Sequence, residues 1–259
     1  NNGGENMITT HKLPERIKKM REDRELSQEE LALKLRLPRP SISQIESGQR
    51  DISSMELAKL ANIFEISVDD LLSLDLDEKE CKDIKKDSKA PTFNKEKFKQ
   101  VLLYILDKCG AKANVGETVL YKLLYFSDFN YYELFEDYLT GVAYRKISYG
   151  PAPCDFQEIV HEMIDEGKLK KVVTEYYGIP QKKYLPLIKA DINQWNWSAR
   201  EKEVIDNVVD RLSSMDATTI SDYSHNDIPW EVTQDKEIID YDTVFYRKRP
   251  YSVRAYSEE

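Results

Sequence analysis

The chain is poor in the side chains that most often carry acid–base, nucleophilic or metal chemistry. It has histidine only at positions 11, 161 and 225, and cysteine only at 81, 109 and 154. His225 is the best placed for chemistry, because Asp222, Asp227 and Trp230 lie close by in sequence. Such a grouping could pass protons. The plainer reading is a turn, Asn226-Asp227-Ile228-Pro229, in which His225 caps or hydrogen-bonds a neighbouring helix. No G-x-S-x-G, phosphate-binding loop or H-E-x-x-H stands elsewhere in the chain. The cysteines are scattered, odd in number and free of CxxC spacing, so neither a disulfide framework nor a zinc site is expected, and a reducing cytoplasm suits them. The expectation is a protein without catalytic residues, metal or cofactor. It acts by binding.

What it binds is first a question of charge. The net charge is −9 over 259 residues, which argues against a wholly nucleic-acid-coating protein. The charge is unevenly placed, however. Met7–Leu74 holds 11 basic and 12 acidic residues, whereas the chain from Asp75 onward holds 27 and 34, a net of −7. A near-neutral first part can still bind DNA if its basic residues share a face. The acidic remainder suits a protein partner better than a second nucleic-acid surface. No stretch approaches the ~18 apolar residues of a membrane span, and no apolar run follows a basic start as in a signal peptide.

These groups need elements to hold them. The segment Asp75–Pro91 is rich in alternating charge and nearly devoid of apolar residues. It cannot bury a face, so it marks a solvated linker. The expected organisation is therefore a first domain over 7–74, a linker over 75–91 and a second domain over 92–259. The first domain is expected to be all-α. Helix one covers Leu13–Asp23, with Ile17 and Met20 inward. Helix two opens at Ser27, where Glu30 three residues later gives capping-box spacing. Helix three covers Pro40–Ser47 and stops at Gly48. Two more span Ser54–Ile63 and Val68–Leu72.

The runs Ser27-Gln28-Glu29-Glu30-Leu31-Ala32, Ser41-Ile42-Ser43-Gln44-Ile45-Glu46-Ser47-Gly48-Gln49-Arg50, Leu57-Ala58-Lys59-Leu60-Ala61 and Val68-Asp69-Asp70-Leu71-Leu72 resemble the Xre/Cro-repressor family of helix-turn-helix proteins. The four blocks occur in order at the family's spacing, over about a quarter of the chain. The resemblance implies that helix three enters the major groove of double-stranded operator DNA. Arg39, Pro40 and Gln44 would then face bases, Arg suiting guanine and Gln adenine. Gln28 would donate to a phosphate from a helix N-terminus, and Ser41, Ser43 and Arg50 would contact the backbone. Two residues depart from the pattern. Arg36 stands in the turn where glycine is usual, and Pro40 offers no hydrogen-bond donor to a base, though proline is tolerated in a first helical turn.

The second domain reads as α+β. Helices are expected over Phe93–Cys109, Glu117–Asn130, Pro153–Glu166, Ala199–Leu212 and Thr218–Tyr223. A strand is expected over Gly141–Ser148, and a hairpin over Leu169–Tyr177 and Lys183–Ile188 about Gly178-Ile179-Pro180. Ten aromatic residues fall between Tyr121 and Tyr149. Most should be core. Tyr131, Tyr132 and Tyr138 are singled out as a surplus that could form a partner-binding patch, tyrosine being common at binding hot spots.

Lys122-Leu123-Leu124-Tyr125-Phe126, Gly141, Tyr149-Gly150-Pro151 and Ser224-His225-Asn226-Asp227-Ile228-Pro229-Trp230 resemble the Panacea domain, also called the SocA or GepA-like domain. Members of that family look like antitoxins, many neutralising toxins related to small alarmone synthetases by direct binding, and one relative is a proteolytic adaptor. The fusion implies an antitoxin that binds a cognate toxin and represses its own operon. The alternatives are a phage or prophage regulator whose second domain senses a signal or dimerises, and a degradation adaptor. A homodimer is left open.

Overall fold

In a computed structural model, residues 12–22, 24, 26–64, 68, 71, 92–147, 149–177, 179–192 and 194–254 are described. The linker expected over 75–91 lies outside them, and of the fifth helix only Val68 and Leu71 lie within. The chain divides into two compact units.

The first unit is built on α1 (Lys12–Glu22), α2 (Gln28–Leu35), α3 (Arg39–Glu46) and α4 (Ser54–Ile63). Ile17, Leu31, Leu35, Ile42, Ile45, Leu60 and Phe64 form its core. The Ser27 hydroxyl accepts from the Glu30 N–H at 3.1 Å while the Glu30 carboxylate accepts from the Ser27 N–H at 2.7 Å. This reciprocal cap satisfies two of the four N–H groups that a helix start leaves orphaned. Ser53 and Glu56 cap α4 in the same way. Between α2 and α3 the chain turns at Arg36, left-handed at φ 58°. Glycine takes that conformation at no steric cost, which explains the family's preference there; here arginine takes it instead.

The second unit is built on α5 (Lys95–Cys109), α6 (Glu117–Phe135), α7 (Phe156–Asp165), α8 (Ala199–Leu212), α9 (Ala217–His225), the short α10 (Ile228–Val232) and a 3-10 turn over Tyr241–Tyr246. Strands β1 (Tyr144–Ile147) and β2 (Gly150–Pro153) pair antiparallel, Tyr144 opposite Pro153 and Ile147 opposite Gly150. Strands β3 (Leu169–Tyr176) and β4 (Ile179–Pro186) form a second two-stranded sheet, of which Val173–Gln181 is grouped with the first unit and the remainder with the second. The α+β expectation holds. Helix α6 is buried on every side from Val119 to Glu133, as befits a central helix rather than an amphipathic one; α5, α8, α9, β2 and the 3-10 turn pack around it.

Three expectations need correction. Helix α6 runs on to Phe135, past the expected end at Asn130, because Tyr131, Tyr132 and Leu134 still have core to enter. The expected helix start at Pro153 is instead the end of β2, and the helix begins at Phe156. Cys109 is a free buried thiol whose pKa burial pushes up to about 11, whereas Cys154 takes part in a disulfide, which its isolated position in the sequence did not foretell.

Candidate functional site

Helix α3 turns Ile42 and Ile45 into the core and leaves Arg39, Pro40, Ser43 and Gln44 exposed on the opposite side, with Ser41 half-buried. The 3.6-residue period accounts for that division. Arg39 is nearly free: its guanidinium lies 4.0 Å from Glu29, and both side chains are about two-thirds exposed, 65% and 66%. A pair so exposed contributes little, so Arg39 can turn to another acceptor. Pro40 occupies the first turn of α3 and supplies neither an N–H nor a polar side chain there.

The residues nominated for the DNA backbone are more committed. Gln28 donates to the Glu46 carboxylate at 2.9 Å. That carboxylate also takes the buried Arg21 guanidinium through bonds of 2.6 and 3.1 Å, and Arg21 donates to the Leu26 carbonyl at 2.8 Å. The pair ties α1 to the end of α3 and, through Gln28, to the start of α2. Hydrogen bonds to Glu46 hold the Arg21 pKa above its usual value, against the effect of burial. Arg50 donates to Glu56 at 2.8 Å. Sequence reading missed this network, since nothing local marks a pair 25 positions apart.

In the second unit the segments singled out from sequence converge. Gly150 adopts φ +94°, and a Cβ there would lie 2.2 Å from the Ser224 hydroxyl and 2.8 Å from Lys122 Cε. Only glycine fits between those two side chains. Gly141, at φ +69°, likewise leaves room for the Thr92 carbonyl, 2.8 Å from where its Cβ would stand. Lys122 is fully buried, and its amine has no hydrogen-bond partner among the described residues. Burial lowers its pKa to about 7.

Asp227 lies in the core. It accepts from Arg247 through bonds of 2.8 and 2.5 Å and from the Tyr125 hydroxyl at 2.8 Å. Arg247 also donates to Glu133 at 3.0 Å and to Asn130 at 2.9 Å. Burial alone would lower the Arg247 pKa; the Asp227 and Glu133 charges overcome it and raise the value. Nearby, Asp128 accepts from Tyr144, from the Thr140 hydroxyl and from the Thr140 N–H at 2.6–2.9 Å. Burial still pushes its pKa up to about 6. His225 stacks on Trp230, centroids 4.2 Å apart, and the Lys146 ammonium lies 4.1 Å from the same indole. The acid–base grouping suggested by sequence is thus divided: Asp227 serves Arg247, Asp222 is exposed, and the imidazole packs on a ring.

Tyr131 and Tyr132 are each only 9% exposed, and Tyr132 stacks on Tyr138 and donates to Asp242 at 2.5 Å. Tyr138, at 38%, is the one of the three nominated tyrosines that offers substantial surface. Helix α6 packs its whole circumference, which spacing within the aromatic run could not disclose. Among the described residues, no group of three or more His, Cys, Asp or Glu could hold a metal ion, and no helix is long and apolar enough to cross a membrane.

Comparison with protein families agrees with both resemblances. A family model described as helix-turn-helix matches residues 17–71, and one described as antitoxin SocA-like, Panacea domain, matches residues 120–231. No characterised protein and no solved structure matches the chain. The second match takes in Lys122, Gly150, Ser224 and Asp227 but stops short of Arg247.

Proposed function

We propose that this chain, a helix-turn-helix domain followed by a SocA-like Panacea domain, is the antitoxin of a toxin–antitoxin pair. Its second unit binds and blocks a cognate toxin, and its first unit represses the shared operon. The observation that carries the reading is the occurrence of both family matches, in that order, on one chain. Division of labour follows: residues 92–259 neutralise, residues 7–74 read DNA, and 75–91 join them in the cytoplasm. The acidic second part suits a basic toxin that handles RNA or nucleotides, because complementary charge speeds encounter.

Co-expression of the full chain with each neighbouring reading frame tests this. One of those frames is expected to arrest growth alone and to be rescued by this chain. If no neighbour is toxic, or none is rescued, the antitoxin reading falls.

On DNA, a dimer would read an inverted repeat with half-sites about 34 Å apart. Arg39→Ala and Gln44→Ala are each expected to weaken operator binding by roughly 1–3 kcal/mol and to relax specificity at one base position. Gln28→Ala and Arg50→Ala should cost less, because each side chain already serves an internal carboxylate that it would have to leave. Footprinting reads all four. Equal protection by wild type and the Arg39/Gln44 double variant would remove those two residues from the interface.

A further inference from the structure

Helix α6, helix α8 and the segment 251–253 surround a half-enclosed cavity of about 400 Å³, within the range of small-molecule sites. Its walls are aromatic and aliphatic. Phe126 comes from α6, Tyr223 from α9 and Tyr251 from the segment that follows the 3-10 turn. Tyr223 lies 5.3 Å from Phe126 and 4.6 Å from Tyr251, measured between ring centroids. Val208 and Leu212, both buried, back the cavity from α8. The Tyr251 wall is held in place by Glu133, which accepts from the Ser252 hydroxyl at 2.5 Å and from the Val253 N–H at 3.2 Å. Three rings around one space favour a flat aromatic guest, which can meet them edge-on or stacked.

Two polar groups define what that guest carries. Asn130 lines the cavity and is only 8% exposed. Its carbonyl oxygen accepts from Arg247 at 2.9 Å. A guanidinium can only donate, so the oxygen faces it and the amide nitrogen lies on the other side of the group. That nitrogen has no hydrogen-bond partner among the described residues, and a buried donor left unmet calls for an acceptor. At the mouth stands Arg211, exposed on α8. It donates to the Pro250 carbonyl at 3.5 Å, a long bond, and its charge is felt by the Tyr223 hydroxyl, which places the guanidinium at the aromatic end. No carboxylate pairs with it among the described residues. Glu203, on the same rim, is eight positions away, about 12 Å along the helix.

We propose that this cavity binds a small aromatic carboxylate with a hydrogen-bond acceptor on the far edge of its ring. The ring enters between Phe126, Tyr223 and Tyr251. The acceptor takes the Asn130 amide, and the carboxylate stays at the mouth on Arg211, a side chain suited to holding it by two parallel bonds. Arg247 joins Asn130 to Asp227 and Glu133, so the donor is fixed in position before the guest arrives. The proposal goes beyond the antitoxin reading and does not depend on it: it gives the second unit a small-molecule site, whichever protein that unit binds.

The probe is para-hydroxybenzoate, set against benzoate, which lacks the acceptor, and para-hydroxybenzamide, which lacks the charge. Titration of the full chain followed by amide NMR is expected to give a Kd on the order of 1 mM or tighter for para-hydroxybenzoate and to move the side-chain amide signal of Asn130. Benzoate and the benzamide should each bind about fivefold or more weakly. Arg211→Gln, at an exposed position, should weaken para-hydroxybenzoate binding about tenfold or more. Asn207→Trp, also exposed and on the rim, puts an indole across the mouth and should abolish binding; Arg211→Gln decides the matter if circular dichroism finds Asn207→Trp unfolded. No binding to wild type, three probes bound alike, or folded variants that bind like wild type overturn the site.

Discussion

Replacing Lys122 by Met is expected to stabilise the second unit, and to do so most at neutral and lower pH. The amine is fully buried and has no hydrogen-bond partner among the described residues, and burial brings its pKa from 10.5 to about 7. In the unfolded chain the same amine keeps its ordinary value. Between about pH 7 and 10.5 the unfolded state therefore binds the extra proton, and wild-type stability rises with pH over that window. Below about pH 7 both states are charged and the folded state bears the full penalty, on the order of a few kcal/mol. Methionine has similar length and no charge to desolvate. Denaturant unfolding of both proteins from pH 6 to 10.5 is the measurement. The Met variant should be more stable by a margin constant below about pH 7 and vanishing toward pH 10.5. Taking the difference between the two proteins cancels the buried tyrosines. A margin that is absent at pH 7, or flat across the range, sinks the account.

Arg247→Met should have the opposite effect, although it too removes a buried cation. Lys122 faces no opposing charge among the described residues, whereas Arg247 faces Asp227 and Glu133, with side-chain exposures of zero on both sides of each pair. Removing the guanidinium strands two carboxylates in the core. Breaking a buried pair in this way typically costs 3–5 kcal/mol, a large share of the roughly 5–15 kcal/mol that holds a domain folded. The second unit should lose most of its cooperative unfolding transition in urea while the first unit unfolds as before. A variant within about 1 kcal/mol of wild type would show that the network contributes far less than its geometry suggests.

What could be read beforehand was what local periodicity encodes. Ala199–Leu212 and Ser54–Ile63 occur where the apolar spacing places them, and Ser27 with Glu30 marks the start of α2. Three features resisted. Strand β2 is Gly150-Pro151-Ala152-Pro153, and two prolines in four residues argue against a strand unless it is short and at an edge. Helix α6 ends at Glu136 in a left-handed conformation, φ 54°, with no glycine to announce it. The exposure of Tyr131 and Tyr132 depended on what surrounds α6, which no property of α6 itself records. The candidate sites divide the same way. The exposed face of α3 followed from its spacing, but the partners of Gln28, Arg50 and Asp227 lie 6 to 102 positions away.

The bond from Arg247 to Glu133 spans 114 positions, and that distance sets an order of maturation during synthesis. A ribosome adding about 5–20 residues per second needs roughly 6–23 s to travel from one to the other. Throughout that interval Glu133 has emerged without its counter-ion and must remain in water, so α6 cannot be enclosed. The core of α1–α4 and the hydrogen bonds that tie them fall between residues 13 and 71 and can close long before. Each nascent molecule therefore passes through a stage with a closed first unit and an unfinished second unit. Under the proposed function, the concentration able to occupy an operator would then run ahead of the concentration able to restrain a toxin.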